Sequence, residues 1–268
     1  MKENTMAKEL AFVSGASSGI GYQLALQLAQ RGYDLAVTAH GDRLPLAAKD
    51  FESAGATVHL FQADATKRDE VEKVWQQIEA LGTPVSVACI NAGIGEGGLF
   101  ATETSLEQEL AIVDLNCGST VQFAKYISRQ MAGRGQGNIL FTASIASETT
   151  SPKMAVYSAS KAFVLSLSKS LRFEMKDFGV NVTALQPGPV DTDFFKVAHI
   201  EDTKIGTDGK KSNEPDEVAK TGLDALFNGE EHVYASDWMT KLQGAVAGIT
   251  PDSVQAKMQE KYMEPANK

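Results

Sequence analysis

The feature that most restricts what this chain can fold into is an alternation. Short, nearly continuous apolar runs lie at 10–15 (LAFVSG), 35–39 (LAVTA), 57–64 (TVHLFQAD), 85–93 (VSVACINAG), 137–144 (GNILFTAS) and 180–188 (VNVTALQPG). Runs of that length are what strands buried on both faces require. A weaker seventh run, HVYAS, lies at 232–236. Between them, 19–32 and 69–82 carry apolar residues at helical spacing, and each ends in a glycine, a C-terminal cap signal. Residues 103–132 and 154–178 read as two long helices. Strand and helix in this order predict an α/β architecture with a doubly wound, parallel sheet.

The length, 268 residues, suits one large α/β domain. No linker or internal repeat divides it. A cofactor-binding and catalytic domain is expected over 1–236, with a C-terminal extension, 237–268, packed on that domain or on a partner subunit. The polar stretch 199–214 is long for a connection and reads as a lid or surface segment. With 25 Lys and Arg against 34 Asp and Glu, the chain carries a net charge of -9 and has no basic block. That argues against nucleic acid as a partner, while leaving room for an anionic cofactor held by local donors. Cys89 and Cys117 have no CxxC spacing and no neighbouring His cluster, so free thiols are expected, with neither disulfide nor metal site. The opening MKENTMAKEL lacks the apolar core of a signal peptide, and no apolar run approaches the ~20 residues that span a bilayer. A cytoplasmic location without a membrane span is the expectation.

The stretch VSGASSGIG, residues 13–21, follows the first strand and opens the first helix. In that context Gly15 permits a sharp turn, Gly19 a close backbone approach to a pyrophosphate, and Gly21 close packing of helix on sheet. The helix N-terminus offers free N–H groups and a favourable dipole for phosphate. Gly15, Ser17, Ser18, Gly19 and Ile20 are therefore candidate cofactor contacts. An acid at the tip of the second strand would bind a ribose 2′-hydroxyl and repel a 2′-phosphate. Here the strand ends in Ala39 and His40, with Arg43 close behind. The missing acid favours NADP, with His40 and Arg43 near the phosphate, and leaves NAD as the alternative.

Further along come Asn91-Ala92-Gly93, Asn116, Ser144, Tyr157-Ser-Ala-Ser-Lys161 and Pro187-Gly188. Together with Gly15-x-x-x-Gly19-Ile20-Gly21, over roughly residues 8 to 236, this set resembles the short-chain dehydrogenase/reductases with chains of about 250 residues. The resemblance implies a Rossmann-like fold with a mostly parallel seven-stranded sheet. It further implies bound NAD or NADP, with Asp64 and Ala65 beside the adenine. Asn91, Ala92 and Gly93 would flank the adenosine side. Pro187 and Gly188 would sit near the nicotinamide, with Val190 and Thr192 on its carboxamide. It also implies pairing of the two long helices across a two-fold axis, as a homodimer or homotetramer.

Tyr157 and Lys161 are four residues apart, hence on one helix face. An ammonium beside a phenol stabilises the tyrosinate and lowers the Tyr pKa toward useful acid–base range. Tyr157 is thus the candidate general acid and base, Ser144 the group that orients the substrate oxygen, and Lys161 a ligand of the nicotinamide ribose. Asn116 would hold a water that extends the proton path. Ser158 and Ser160 read as packing residues. The function expected is NADP-dependent interconversion of a ketone or aldehyde and an alcohol, on a hydrophobic small-molecule substrate. The alternatives are an NAD-dependent alcohol or sugar dehydrogenase, an epimerase-like variant, and a non-catalytic module that senses cofactor.

Overall fold

The structure, a computed structural model, describes residues 8–208, 213–235 and 251–266. Most of the opening segment, part of the 199–214 stretch, Ser236 and residues 237–250 of the extension lie outside the described residues.

Seven strands form one sheet: β1 (Leu10–Ser14), β2 (Asp34–Ala39), β3 (Val58–Gln62), β4 (Val85–Ile90), β5 (Gly137–Thr142), β6 (Val180–Pro187) and β7 (His232–Ala235). The order is β3-β2-β1-β4-β5-β6-β7, and every pairing is parallel. The expected doubly wound, Rossmann-like fold is the one found. Central β1 and β4 are buried at every position, whereas the edges β3 and β7 are partly exposed. HVYAS is the weakest apolar run because it forms the edge strand β7.

Helices cover both faces. α1 (Gly19–Gln30), α2 (Leu44–Ser53) and α9 (Pro215–Phe227) lie on one, and α3 (Arg68–Ala80), α5 (Thr120–Arg134) and α6 (Ala155–Met175) on the other. Alternate β1 residues serve opposite layers. Leu10 and Phe12 pack with Trp75, Phe123 and Val164, while Ala11 and Val13 pack with Leu24, Phe51 and Leu223. A register shift between Leu10 and Ala11, paired with Val85 and Val87, re-aims β4. Val85 therefore faces one layer and Val87 the other, against simple alternation.

The 103–132 stretch is not a single helix. α4 (Leu106–Ile112) begins late because Ser105 and Gln108 form a reciprocal cap, with Ser105 Oγ accepting Gln108 N–H at 3.2 Å and Ser105 N–H donating to Gln108 Oε1 at 2.9 Å. A π-helical turn, Val113–Ser119, then separates α4 from α5. The 154–178 helix stops at Met175 and continues as a 3-10 turn to Phe178. α2 and α9 are not among the elements expected from the sequence, although both have Pro in the first turn and buried residues at helical spacing. Within the 199–214 stretch lies α8 (Lys204–Asp208), preceded by α7 (Phe194–Val197). The extension contains α10 (Asp252–Tyr262).

Helix α1 approaches the sheet closely only because Gly21 lacks a side chain. A Cβ there would lie 2.1 Å from the Gly15 carbonyl oxygen and 2.5 Å from Asn91 Nδ2. Gly21→Ala is expected to lower unfolding free energy by about 2–4 kcal/mol, the range of overpacking against backbone that cannot yield. Urea denaturation measures it, and a loss under about 1 kcal/mol would show that α1 can shift aside.

Candidate active site

The carboxyl ends of the strands open into a cavity of about 490 Å³. It lies over β1 and β4, where the strand order reverses, the place at which open α/β sheets take ligands. The expected cofactor contacts Gly15, Ser17, Ser18, Gly19, Ile20, His40, Arg43, Asp64, Ala65, Asn91, Ala92, Gly93, Pro187, Gly188, Val190 and Thr192 all line it. Ser144, Tyr157 and Lys161 line it too.

The glycine turn has the conformation its sequence suggested. Gly15 and Gly19 have φ of 71° and 57°. A Cβ on Gly15 would stand 2.9 Å from Ala92 Cα, and one on Gly19 would stand 3.0 Å from Thr192 Cγ2. Ser18, the N-cap of α1, makes no side-chain cap, and the first turn holds no acidic residue. The first-turn N–H groups are thus left for an anion. Uncapped amides, backbone stripped of Cβ atoms and the absence of a carboxylate at the β2 tip together fit a dinucleotide phosphate.

Ser14, which the sequence reading passed over, sets the floor. Its Oγ accepts the N–H of Asn91 at 2.9 Å and of Ala92 at 3.1 Å. Asn91 Nδ2 donates back to the Ser14 carbonyl at 3.2 Å, and Thr142 Oγ1 donates to Asn91 Oδ1 at 2.9 Å. Asn91 is spent on this seam. On the adenosine side the Asp64 carboxylate accepts from Thr66 Oγ1 at 2.6 Å and lies 3.2 Å from Lys67 Nζ. The Thr66 hydrogen bond, with help from Lys67, lowers its pKa. His40 is exposed at the rim. Arg43 pairs with Asp193, bridging the loops after β2 and β6.

At the other end, α6 presents Tyr157 and Lys161 one turn apart. Lys161 Nζ donates to the Thr142 carbonyl at 2.9 Å and lies 5.9 Å from the Tyr157 ring centroid. Burial drives the two pKa values apart. Tyr157 is pushed up to about 12 by desolvation, against a Ser144 hydrogen bond that lowers it. Lys161 is pushed down to about 8 by desolvation. The i, i+4 spacing predicts an ammonium that lowers the Tyr pKa; in the structure desolvation raises it instead, opposed by the Ser144 hydrogen bond. Ser144 Oγ accepts Ala146 N–H at 3.1 Å, which anchors it above β5.

Asn116 lies in the π-helical turn, a distortion common at functional sites. It is buried behind the cavity wall and does not line it. Its Oδ1 accepts Ile94 N–H, and its Nδ2 donates to the Ile94 carbonyl and to Ser160 Oγ, all at 2.9 Å. One lone pair is left for the expected water. Ser160, read as packing, is part of this network and donates to the Tyr157 carbonyl at 2.7 Å. A Cβ on Gly93 would stand 3.1 Å from Lys161 Nζ, so the glycine admits the ammonium.

Ile94, Ile145, Ala146 and Met154 line the chamber near Tyr157, with Phe194 tilted against the Tyr157 ring at 5.1 Å. Glu96 turns away to His199 Nδ1 at 2.9 Å, so neither residue lines the cavity. Cys89 and Cys117 are free thiols, and burial pushes Cys89 up to about 12. No helix among the described residues is long and apolar enough to cross a membrane.

Comparison with known proteins agrees with this geometry. The short chain dehydrogenase family matches residues 9–202. An uncharacterized oxidoreductase of Myxococcus xanthus is 35% identical over 191 residues, 70% of this chain and 74% of the relative. A 3-oxoacyl-(acyl-carrier-protein) reductase of Staphylococcus epidermidis is 31% identical, over 68% of this chain and 75% of its own. Among solved structures, a short-chain dehydrogenase from Sphingobium yanoikuyae in complex with NADPH aligns with a TM-score of 0.79. It is 26% identical, over 90% of this chain and 94% of that one. The chain belongs to the short-chain dehydrogenase/reductase family of oxidoreductases.

Lys161 makes stability depend on pH. Its folded pKa, about 8, lies below the ordinary 10.5, so between these values the unfolded chain binds the extra proton. Its contribution to stability is lowest below pH 8 and improves as pH rises through the window. In urea titrations, wild type should gain on Lys161→Met between pH 8 and 10. A constant difference over that range would mean that Lys161 is not desolvated.

Proposed function

We propose that the protein is an NADP-dependent oxidoreductase that interconverts a ketone or aldehyde and an alcohol. The observation that carries this reading is convergence. Ser144, Tyr157 and Lys161 line one cavity with the uncapped N-terminus of α1. The nicotinamide supplies or accepts the hydride when bound. Ser144 and Tyr157 hold the substrate oxygen. Enclosure keeps Tyr157 protonated at neutral pH, the state needed to give a proton to a carbonyl oxygen during reduction. Lys161 positions the ribose and recharges Tyr157. Asn116 and Ser160 fix the backbone on both sides of this pair. His40, at the tip of β2, would lie nearest the ribose 2′ position, and the tip itself carries no acid.

One observation favours the second reading, an NAD-dependent alcohol or sugar dehydrogenase. Asp193 engages Arg43, so the guanidinium has a competing anion where a 2′-phosphate would need it.

We propose a two-fold assembly through α4, α5 and α6, in a cytoplasmic enzyme. These helices expose Leu106, Leu110, Val121, Phe163 and Phe173, apolar side chains that a partner subunit would cover.

Tyr157→Phe should lower turnover of a carbonyl substrate by about a hundredfold or more while NADPH affinity stays within about threefold. Nicotinamide absorbance follows the first and fluorescence titration the second; turnover within about tenfold of wild type would remove the proton-transfer role. His40→Asp should shift binding from NADPH toward NADH. An unchanged preference in paired titrations would place His40 away from the ribose.

A further inference from the structure

α10 comes from the far end of the chain, yet it reaches the site. Gln259 and Met263 line the same cavity as Ser144 and Tyr157. Met263 is buried in a cluster with Met154, Phe195, Ala198 and Ile200, against which Tyr157 and Phe194 pack. The segment is held from two sides. Lys204 N–H donates to the Glu264 carbonyl at 2.9 Å, and its ammonium to the Glu264 carboxylate at 2.6 Å. Ala266 N–H donates to the Asp202 carbonyl at 2.9 Å, and Thr203 bridges Pro265 in antiparallel pairing. On the other side Gln255 Oε1 accepts Thr150 N–H at 3.2 Å, between the cavity-lining residues Thr149 and Ser151.

Among the charged groups that line the cavity, Arg43 holds Asp193, Asp64 holds Lys67, and Lys161 donates to the neutral Thr142 carbonyl. Apart from Lys161, which the reading above commits to the ribose and Tyr157, an ionised substrate group buried near Tyr157 would find no free counter-charge among the described residues, and such burial is costly. The walls there are Ile94, Ile145, Met154, Phe194 and Met263. Gln259 adds a hydrogen-bonding group, which can orient a neutral substituent but cannot neutralise a charge.

We infer that α10 and Met263, the residue that caps it, are the specificity wall of the substrate chamber, with Met263 setting the room for a bulky, uncharged, apolar substituent on the carbonyl carbon. This rests on the carbonyl-oxidoreductase reading above. Met263 lies 106 positions beyond Tyr157, so substrate choice is set by a segment separate from the catalytic motif. Shape is the means of discrimination, since differences of a methylene or more in an apolar pocket are worth about 10–200-fold.

The test compares wild type, Met263→Ala and Met263→Trp with butanone and with butyrophenone. Binding of each ketone to the NADP-loaded enzyme is measured calorimetrically, where oxidised cofactor and ketone cannot react. kcat/KM is then measured with NADPH. Met263→Trp should lower the butyrophenone-to-butanone ratio by about tenfold in both assays, and Met263→Ala should leave it equal or raised. NADP affinity should be the same in all three proteins. A ratio unmoved by both variants, in an enzyme that turns ketones over, overturns the wall and leaves the reductase reading standing. Ketone binding that follows Met263 without turnover overturns the reductase reading and leaves the wall. No ketone binding by NADP-loaded wild type overturns both.

Discussion

The Ser14 hydroxyl joins β1 to β4 at the point where the strand order reverses. Without it the N–H groups of Asn91 and Ala92 would be left unpaired inside the protein, at about 1–3 kcal/mol each. The same seam continues through Asn91 to Thr142 on β5, and the Thr142 carbonyl receives the Lys161 ammonium. One line of hydrogen bonds therefore runs from the glycine turn to Lys161 on α6. The glycines matter in relation to it. Gly15 and Gly21 bring the turn and α1 onto the seam, and a methyl group at either would meet backbone atoms. The glycine turn and Lys161 share one support, so their separation is set by the sheet.

Enclosure then decides the protonation states. Tyr157 is held neutral and Lys161 is brought near physiological pH because both have lost water. Met154 and Met263 belong to the apolar cluster against which Tyr157 and Phe194 pack, and such packing takes from the Tyr157 phenol the water that would hold its pKa at the ordinary value.

Much of this was legible in the chain. The strand runs were right in number and direction because burial on both faces leaves an unmistakable apolar signature. Gly15, Gly19 and Gly21 fell where they were needed because only glycine satisfies those contacts. α2 and α9 were overlooked, though Leu44, Ala47, Ala48 and Phe51 recur at helical spacing. The break in the 103–132 helix was less visible, since nothing in VDLNCGS forbids ordinary α-helical geometry. There Asn116 makes three hydrogen bonds to Ile94 and Ser160, residues distant in sequence.

The sequence by itself determined the layered fold, the glycine cradle, and the placement of Tyr157 and Lys161 on one helix face. Each depends on periodicity or on a residue's own conformational limits, which are local properties. The tertiary structure alone decided that desolvation raises the Tyr157 pKa, that Arg43 faces Asp193, and that Ser160 belongs to the Asn116 network. It also decided that Gln259 and Met263, from the far end of the chain, line the same cavity as Tyr157. These depend on which groups meet after the chain has folded and on how much water remains between them, and neither is encoded at any single position.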